Sequence, residues 1–231
     1  MNKAAVNSIL IPLDGSSFSQ KAIEYGIYIG RRMNIPLIGL YIAEEIFIQT
    51  FREDCRRSGI SPDLRKIPDL SANAILAAAE DAEGMLLLVP RQEPAGSRNT
   101  LKGSLMVIPP KFLEIESMGL IYDGSPETDQ ALDLAVSLSQ NAVWPLTILL
   151  ISEDHHRIAA FNRRLDDYFE LHADDFPIDW DTVVLDGPQD EATLRFIRDG
   201  SIELLVMASP GQEQSLIRVL RESPIPLIEI R

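Results

Sequence analysis

Residues 11–16 read IPLDGS and residues 120–125 read LIYDGS: an apolar run closed by Asp-Gly-Ser, written twice at a spacing of 109. The likeness extends well beyond these six residues. At the same offset Ala22 aligns with Ala131, Pro36-Leu37 with Pro145-Leu146, and Glu44 with Glu153. Farther along, the offset becomes 118, pairing Ala74 and Leu76 with Ala192 and Leu194, and LLLV (86–89) with LLVM (204–207). The last apolar runs, SLMVI (104–108) and PLIEI (226–230), align at 122. A self-similarity of this length marks a duplicated structural unit, and every other assignment depends on recognising it first.

Within each copy the pattern alternates. SILIPLD (8–14) is apolar without helical period, whereas residues 17–32 place Ala22, Ile23, Gly26, Ile27 and Gly30 on one helical face. The two glycines read as close contact between helix and sheet. Ser17 with Gln20 reads as a capping box; in the second copy Ser125, Pro126 and Glu127 read as N-cap, first-turn proline and dipole-favoured acid. Second strands follow at 36–42 and 145–151, then helices over 46–57 and 156–172, third strands at 64–67 and 180–185, and third helices over 72–82 and 190–198. Fourth and fifth strands close each copy.

Strands this apolar, separated by amphipathic helices, require a parallel sheet covered on both faces. The fold class is therefore α/β, with two tandem doubly wound domains, residues 1–110 and 111–231, joined near PPKFLEIE (109–116). A core of about 110 residues is marginal alone, so the copies are expected to bury surface against each other as an intramolecular pseudo-dimer.

Composition excludes several classes. With 45% hydrophobic and 24% charged residues, the chain reads as globular. It lacks the run of roughly 18 apolar residues that a membrane span needs, and Asn7, Ser8 and Asp14 interrupt its N-terminal apolar stretch, so a cytoplasmic protein is expected. Its one cysteine, Cys55, forms no internal disulfide and fits a reducing compartment. The net charge of −14 lies in the second half: residues 1–110 hold twelve acids and twelve bases, residues 111–231 twenty-three acids and nine bases. Such acidity repels nucleic acid, and it serves either solubility or a basic protein partner. In REDCRRSG (52–59) the arginines read as a solvated helix face, with activation of Cys55 as the alternative. His155-His156 lacks the further ligands of a metal site and reads as the start of a helix.

In open α/β sheets ligands bind beyond the carboxyl ends of the strands, where strand order reverses, which is where Asp14 and Asp123 fall. A dehalogenase-type phosphatase would need Asp at positions occupied by Pro12 and Ile121, and neither DGSSFSQK nor DGSPETDQ carries a dinucleotide or Walker phosphate loop. No serine–base pair, metal cluster or catalytic dyad emerges, so no enzyme activity is expected.

The stretches 9–45 and 119–154 resemble the start of universal stress protein domains. VLRESPIPLIEIR (219–231) resembles that family's closing helix and strand, and VIPPKFLEI (107–115) the bridge in its tandem members. The resemblance implies a five-stranded parallel sheet per copy, in the adenine nucleotide alpha hydrolase-like, or HUP-type, arrangement. It also implies a nucleotide site in some members: the Asp ending the first strand and an aliphatic residue near the end of the second contact adenine, and G-x2-G-x9-G-(Ser/Thr) after the fourth strand holds phosphates. The first part carries over to Asp14 and Ile42, and to Asp123 and Ile151. The second does not, because Pro90 and Glu93 stand at the first two glycine positions of copy one, and Ala208 and Gly211 at those of copy two. Only fifteen residues (90–104) or eighteen (208–225) remain before strand five. Gly96-Ser97 and Gly103-Ser104, near Arg98 and Lys102, are the one candidate anion cradle left.

A polyphosphate needs bare backbone N–H groups and a helix N-terminus. Pro90 has no N–H, and Glu93 places a carboxylate beside the phosphates. The expectation is thus a non-catalytic stress-response regulator or adaptor without cofactor, acting through protein partners or self-association, including a homodimer. Its rival is an ATP- or AMP-binding sensor with a degenerate phosphate loop. The simplest role for both aspartates is to organise the strand-to-helix turn through backbone N–H groups.

Overall fold

The computed structural model describes residues 6–42, 46–69, 71, 74–75, 77–78, 85–90, 104–151, 155–172, 178–208 and 214–230. The chain forms two compact units, Ala5–Phe112 and Leu113–Ile230. The first contains β1 (Ser8–Pro12), α1 (Ser17–Met33), β2 (Leu37–Tyr41), α2 (Ile46–Arg57), β3 (Asp63–Lys66), β4 (Met85–Pro90) and β5 (Ser104–Ile108). The second contains β6 (Met118–Tyr122), α3 (Pro126–Ala142), β7 (Leu146–Leu150), α4 (His155–His172), β8 (Trp180–Val184), α5 (Gln189–Arg198), β9 (Leu204–Ala208), α6 (Gln214–Glu222) and β10 (Leu227–Ile230).

Strand order is β3-β2-β1-β4-β5 in the first unit and β8-β7-β6-β9-β10 in the second, and the pairs within each unit are parallel. The register itself is duplicated. Ile9 pairs Leu37 as Met118 pairs Leu146, and Ile9 pairs Leu86 as Met118 pairs Leu204. Leu87 pairs Leu105 as Leu205 pairs Leu227. The three sequence offsets are thus three blocks of one conserved ladder.

The cores follow from the patterning. Ile9, Leu10, Ile11, Leu37, Leu86, Leu105 and Met106 are buried in the first sheet, and Leu120, Ile148, Leu205, Val206 and Leu227 in the second. A Cβ at Gly26 would meet Ile11 Cδ1 at 2.4 Å, and one at Gly30 would meet Leu37 Cδ2 at 2.9 Å. These glycines let α1 lie close on the sheet.

The helix starts correct one reading. The N-cap of α1 is Ser16, whose hydroxyl accepts from the Ser19 N–H, so Ser17 with Gln20 is not a capping box. Ser125 caps α3 in the same way, accepting from the Thr128 N–H, with Pro126 in the first turn. A cap of this kind stabilises a helix by about 1 kcal/mol. Of the helix expected over 72–82, Ala74, Ile75, Ala77 and Ala78 are helical and the rest lies outside the described residues.

Candidate functional site

The strand order of each unit reverses between its first and fourth strands, β1/β4 and β6/β9. Asp14 and Asp123 stand at these two switch points, each in a turn made by a left-handed glycine, Gly15 at φ +74° and Gly124 at φ +78°. The Asp14 carboxylate accepts from the Ser16 N–H at 2.8 Å, and the Asp123 carboxylate from the Ser125 N–H at 2.9 Å. Both therefore have the turn-organising role.

Beyond that shared bond the sites diverge. Asp14 is exposed, whereas Asp123 is half-buried and also accepts from the Thr128 hydroxyl at 3.0 Å. Burial works against ionisation of Asp123, yet hydrogen bonds from Ser125 and Thr128, with the charge of Arg157, hold its carboxyl below the usual range.

Helix α4 lies directly over the second turn. A Cβ on Gly124 would meet Phe161 Cε1 at 2.3 Å, and the Phe161 ring stands edge-on to Tyr122 with centroids 5.8 Å apart. Arg157 sits over Phe161, 5.5 Å from its centroid. Arg164 donates to the Gly124 carbonyl at 3.2 Å and pairs with Asp129, which also accepts from the Tyr122 hydroxyl at 2.9 Å. Burial, then the Asp129 carboxylate, pushes the Tyr122 phenol well above its ordinary value. None of Tyr122, Thr128, Asp129, Phe161 and Arg164 stood out in the sequence. The Tyr122–Asp129 spacing of seven and the Asp129–Arg164 spacing of 35 join elements that only the tertiary fold brings together.

Of the remaining candidates, Ile42 follows β2 and is 41% exposed; Ile151 follows β7 and is half-buried. Pro90 and Ala208 are the last residues of β4 and β9, and Ser104 opens β5, half-buried. Gly96, Gly103 and Gly211 lie outside the described residues, as do Glu93, Ser97, Arg98 and Lys102.

Cys55 is fully buried, and burial followed by the neighbouring Asp54 charge pushes its thiol up to about 12. That overturns the activated-thiol reading. Arg57 instead pairs along its own helix with Glu53 and Asp54. Among the described residues no group of three His, Cys, Asp or Glu side chains is placed to hold a metal, and no helix is long and apolar enough to cross a membrane.

A five-stranded doubly wound unit, occurring twice and carrying Asp-Gly-Ser at each switch point, defines the class of fold. The chain shares it with universal stress proteins of solved structure. It is similar to a universal stress protein from Archaeoglobus fulgidus (17% identity, TM-score 0.73), covering 99% of this chain and 97% of that one. It is also similar to a putative universal stress protein from Pseudomonas aeruginosa (12% identity, TM-score 0.67, covering 100% and 95%). A third similar structure is the cytoplasmic domain of a prokaryotic cation chloride cotransporter (15% identity, TM-score 0.65, covering 97% and 95%). No family model and no curated protein matches the sequence.

Proposed function

We propose that the chain is a tandem universal stress protein that serves as a non-catalytic regulator or adaptor, acting through protein contacts. The observation that carries this reading is the use made of the two switch-point aspartates. Each holds its own turn through the Ser16 or Ser125 N–H beneath a phenylalanine of the following helix, Phe47 or Phe161, and in the second copy Arg164 bonds to that turn as well. Pro90 and Glu93 at the positions of phosphate-binding glycines add to it, because they remove amide donors and bring negative charge where a polyphosphate tail would lie. The fold's occurrence as the cytoplasmic domain of a cotransporter also supports a role exercised through another protein. The acidic second half, twenty-three acids against nine bases, favours a basic partner surface.

A second reading, an ATP- or AMP-binding sensor, is favoured by one observation: exposed Asp14 and 41%-exposed Ile42 follow the paired strands β1 and β2, a carboxylate and an apolar surface suited to an adenine ring. Mass spectrometry of protein purified without added nucleotide separates the two. The adaptor reading expects no retained adenine nucleotide; a stoichiometric one supports the sensor.

A further inference from the structure

The two copies cover their switch-point turns with equivalent helices but fasten them differently. Aligning α2 with α4 at an offset of 114 places Phe47 on Phe161, Phe51 on Leu165 and Cys55 on Phe169. Phe51, Leu165, Cys55 and Phe169 are all buried, and Phe47 lies over Gly15 as Phe161 lies over Gly124. The same alignment places Thr50 opposite Arg164, and the offset of 109 places Leu13 opposite Tyr122 and Gln20 opposite Asp129. Thr50 turns its hydroxyl back to the Ile46 carbonyl of its own helix at 3.2 Å.

We propose that Tyr122, Asp129 and Arg164 form a latch that fixes α4 over the second Asp-Gly-Ser turn, and that the first copy, built without it, carries the conformationally responsive switch point. Arg164 bonds at once to the turn, through the Gly124 carbonyl, and to α3, through Asp129; Tyr122 ties the end of β6 to the same carboxylate. For α4 to lift, the Arg164–Asp129 pair, the Arg164 bond to the Gly124 carbonyl and the Tyr168–Asp133 bond must break together, while Tyr122 holds the Asp129 carboxylate in place. For α2 to lift, apolar packing is surrendered, that of Phe47 over Gly15 and of the buried Ile48, Phe51 and Cys55, whereas the side-chain hydrogen bonds of α2 among the described residues stay within the helix itself. A small molecule or protein segment arriving at the strand ends therefore meets one turn that can rearrange around it and one that is held. The latch does not depend on the nature of that ligand.

The duplication supplies its own control, because Ser16 and Ser125 amides donate to equivalent aspartates, and Ser19 and Thr128 amides to equivalent serine hydroxyls. Native-state hydrogen exchange should give Ser125 and Thr128 at least about fivefold more protection than Ser16 and Ser19, each pair referenced to the strand amides of Leu120 and Ile11. Arg164→Ala should remove most of that difference and leave Ser16 and Ser19 unchanged. Should Arg164→Ala unfold the second copy, Tyr122→Phe, which keeps the buried ring and loses only the hydroxyl, should lower Thr128 protection about twofold. Equal protection of the matched pairs in the wild type, or unchanged Ser125 and Thr128 protection in both variants, would overturn the latch.

Discussion

At the end of β1 the Asp14 carboxylate stands exposed and holds one backbone amide; at the end of β6 its counterpart Asp123 is half-buried and holds an amide and a hydroxyl, and of the two turns, each beneath a phenylalanine ring, the second is also held by an arginine. The backbone of the two turns is nearly the same, down to a left-handed glycine and a serine cap. The side chains around them are not. The duplicated scaffold keeps what the backbone needs and lets the surroundings of each site differ. What remains common to the copies is structural, and whatever is specialised must lie where they differ.

The largest effect is expected at the glycines of the two turns. Gly124→Ala meets both a left-handed φ and the Phe161 ring at 2.3 Å, and should destabilise the second unit by about 3 kcal/mol, the sum of conformational strain and overpacking. Gly15→Ala carries the same φ penalty, but its Cβ would meet Phe47 at 3.0 Å, so about 1.5 kcal/mol is expected. Urea unfolding followed at Trp144 or Trp180 and, separately, by far-UV signal reads the two units. Equal losses at both glycines would mean that the ring over Gly124 has room to move.

The helix ends give an effect of opposite sign. Asn34 ends α1 at φ +55° and Val143 ends α3 at φ +57°, the same left-handed cap filled by a tolerant residue in one copy and a β-branched one in the other. Val143 is also 79% exposed, so its side chain contributes little packing in return. Val143→Asn should raise the urea midpoint, by about 1 kcal/mol of stability, and Asn34→Val should lower it by a similar amount. A neutral Val143→Asn would show that the cap is held by other contacts.

The smallest effect concerns acid. A carboxyl whose pKa is depressed on folding contributes stability above its unfolded value, near 3.9, and loses it as pH falls through the folded value. Asp123 is such a group. Asp123→Asn should therefore flatten the fall in stability below about pH 4, with a loss at neutral pH of about 0.5 kcal/mol because the amide oxygen still accepts from Ser125. An acid limb unchanged by the substitution would mean that the Ser125 and Thr128 bonds do not favour the charged form.

Most of the fold was legible because duplication doubles each local signal. The three offsets reappear as three blocks of strand register, and Gly26 and Gly30 prove to be the close contacts their helical spacing implied. The cap of α1 lies one residue before the expected Ser17 because DGSS offers two serines in sequence, and the offset of 109 from Ser125 points to Ser16. Cys55 was harder to read, since nearby arginines suggest an activated thiol while the helical face, shared with Ile48 and Phe51, buries it. The latch was illegible for a plainer reason. Its members, a buried tyrosine on β6, an aspartate on α3 and an arginine on α4, are singly ordinary, and only the fold brings them together.

The proposed function has neither switch point serving as a nucleotide receptor. Isothermal titration calorimetry of the full chain with ATP and with AMP is the decisive measurement: no saturable heat is expected with either, and one site of low-micromolar affinity would overturn the proposal.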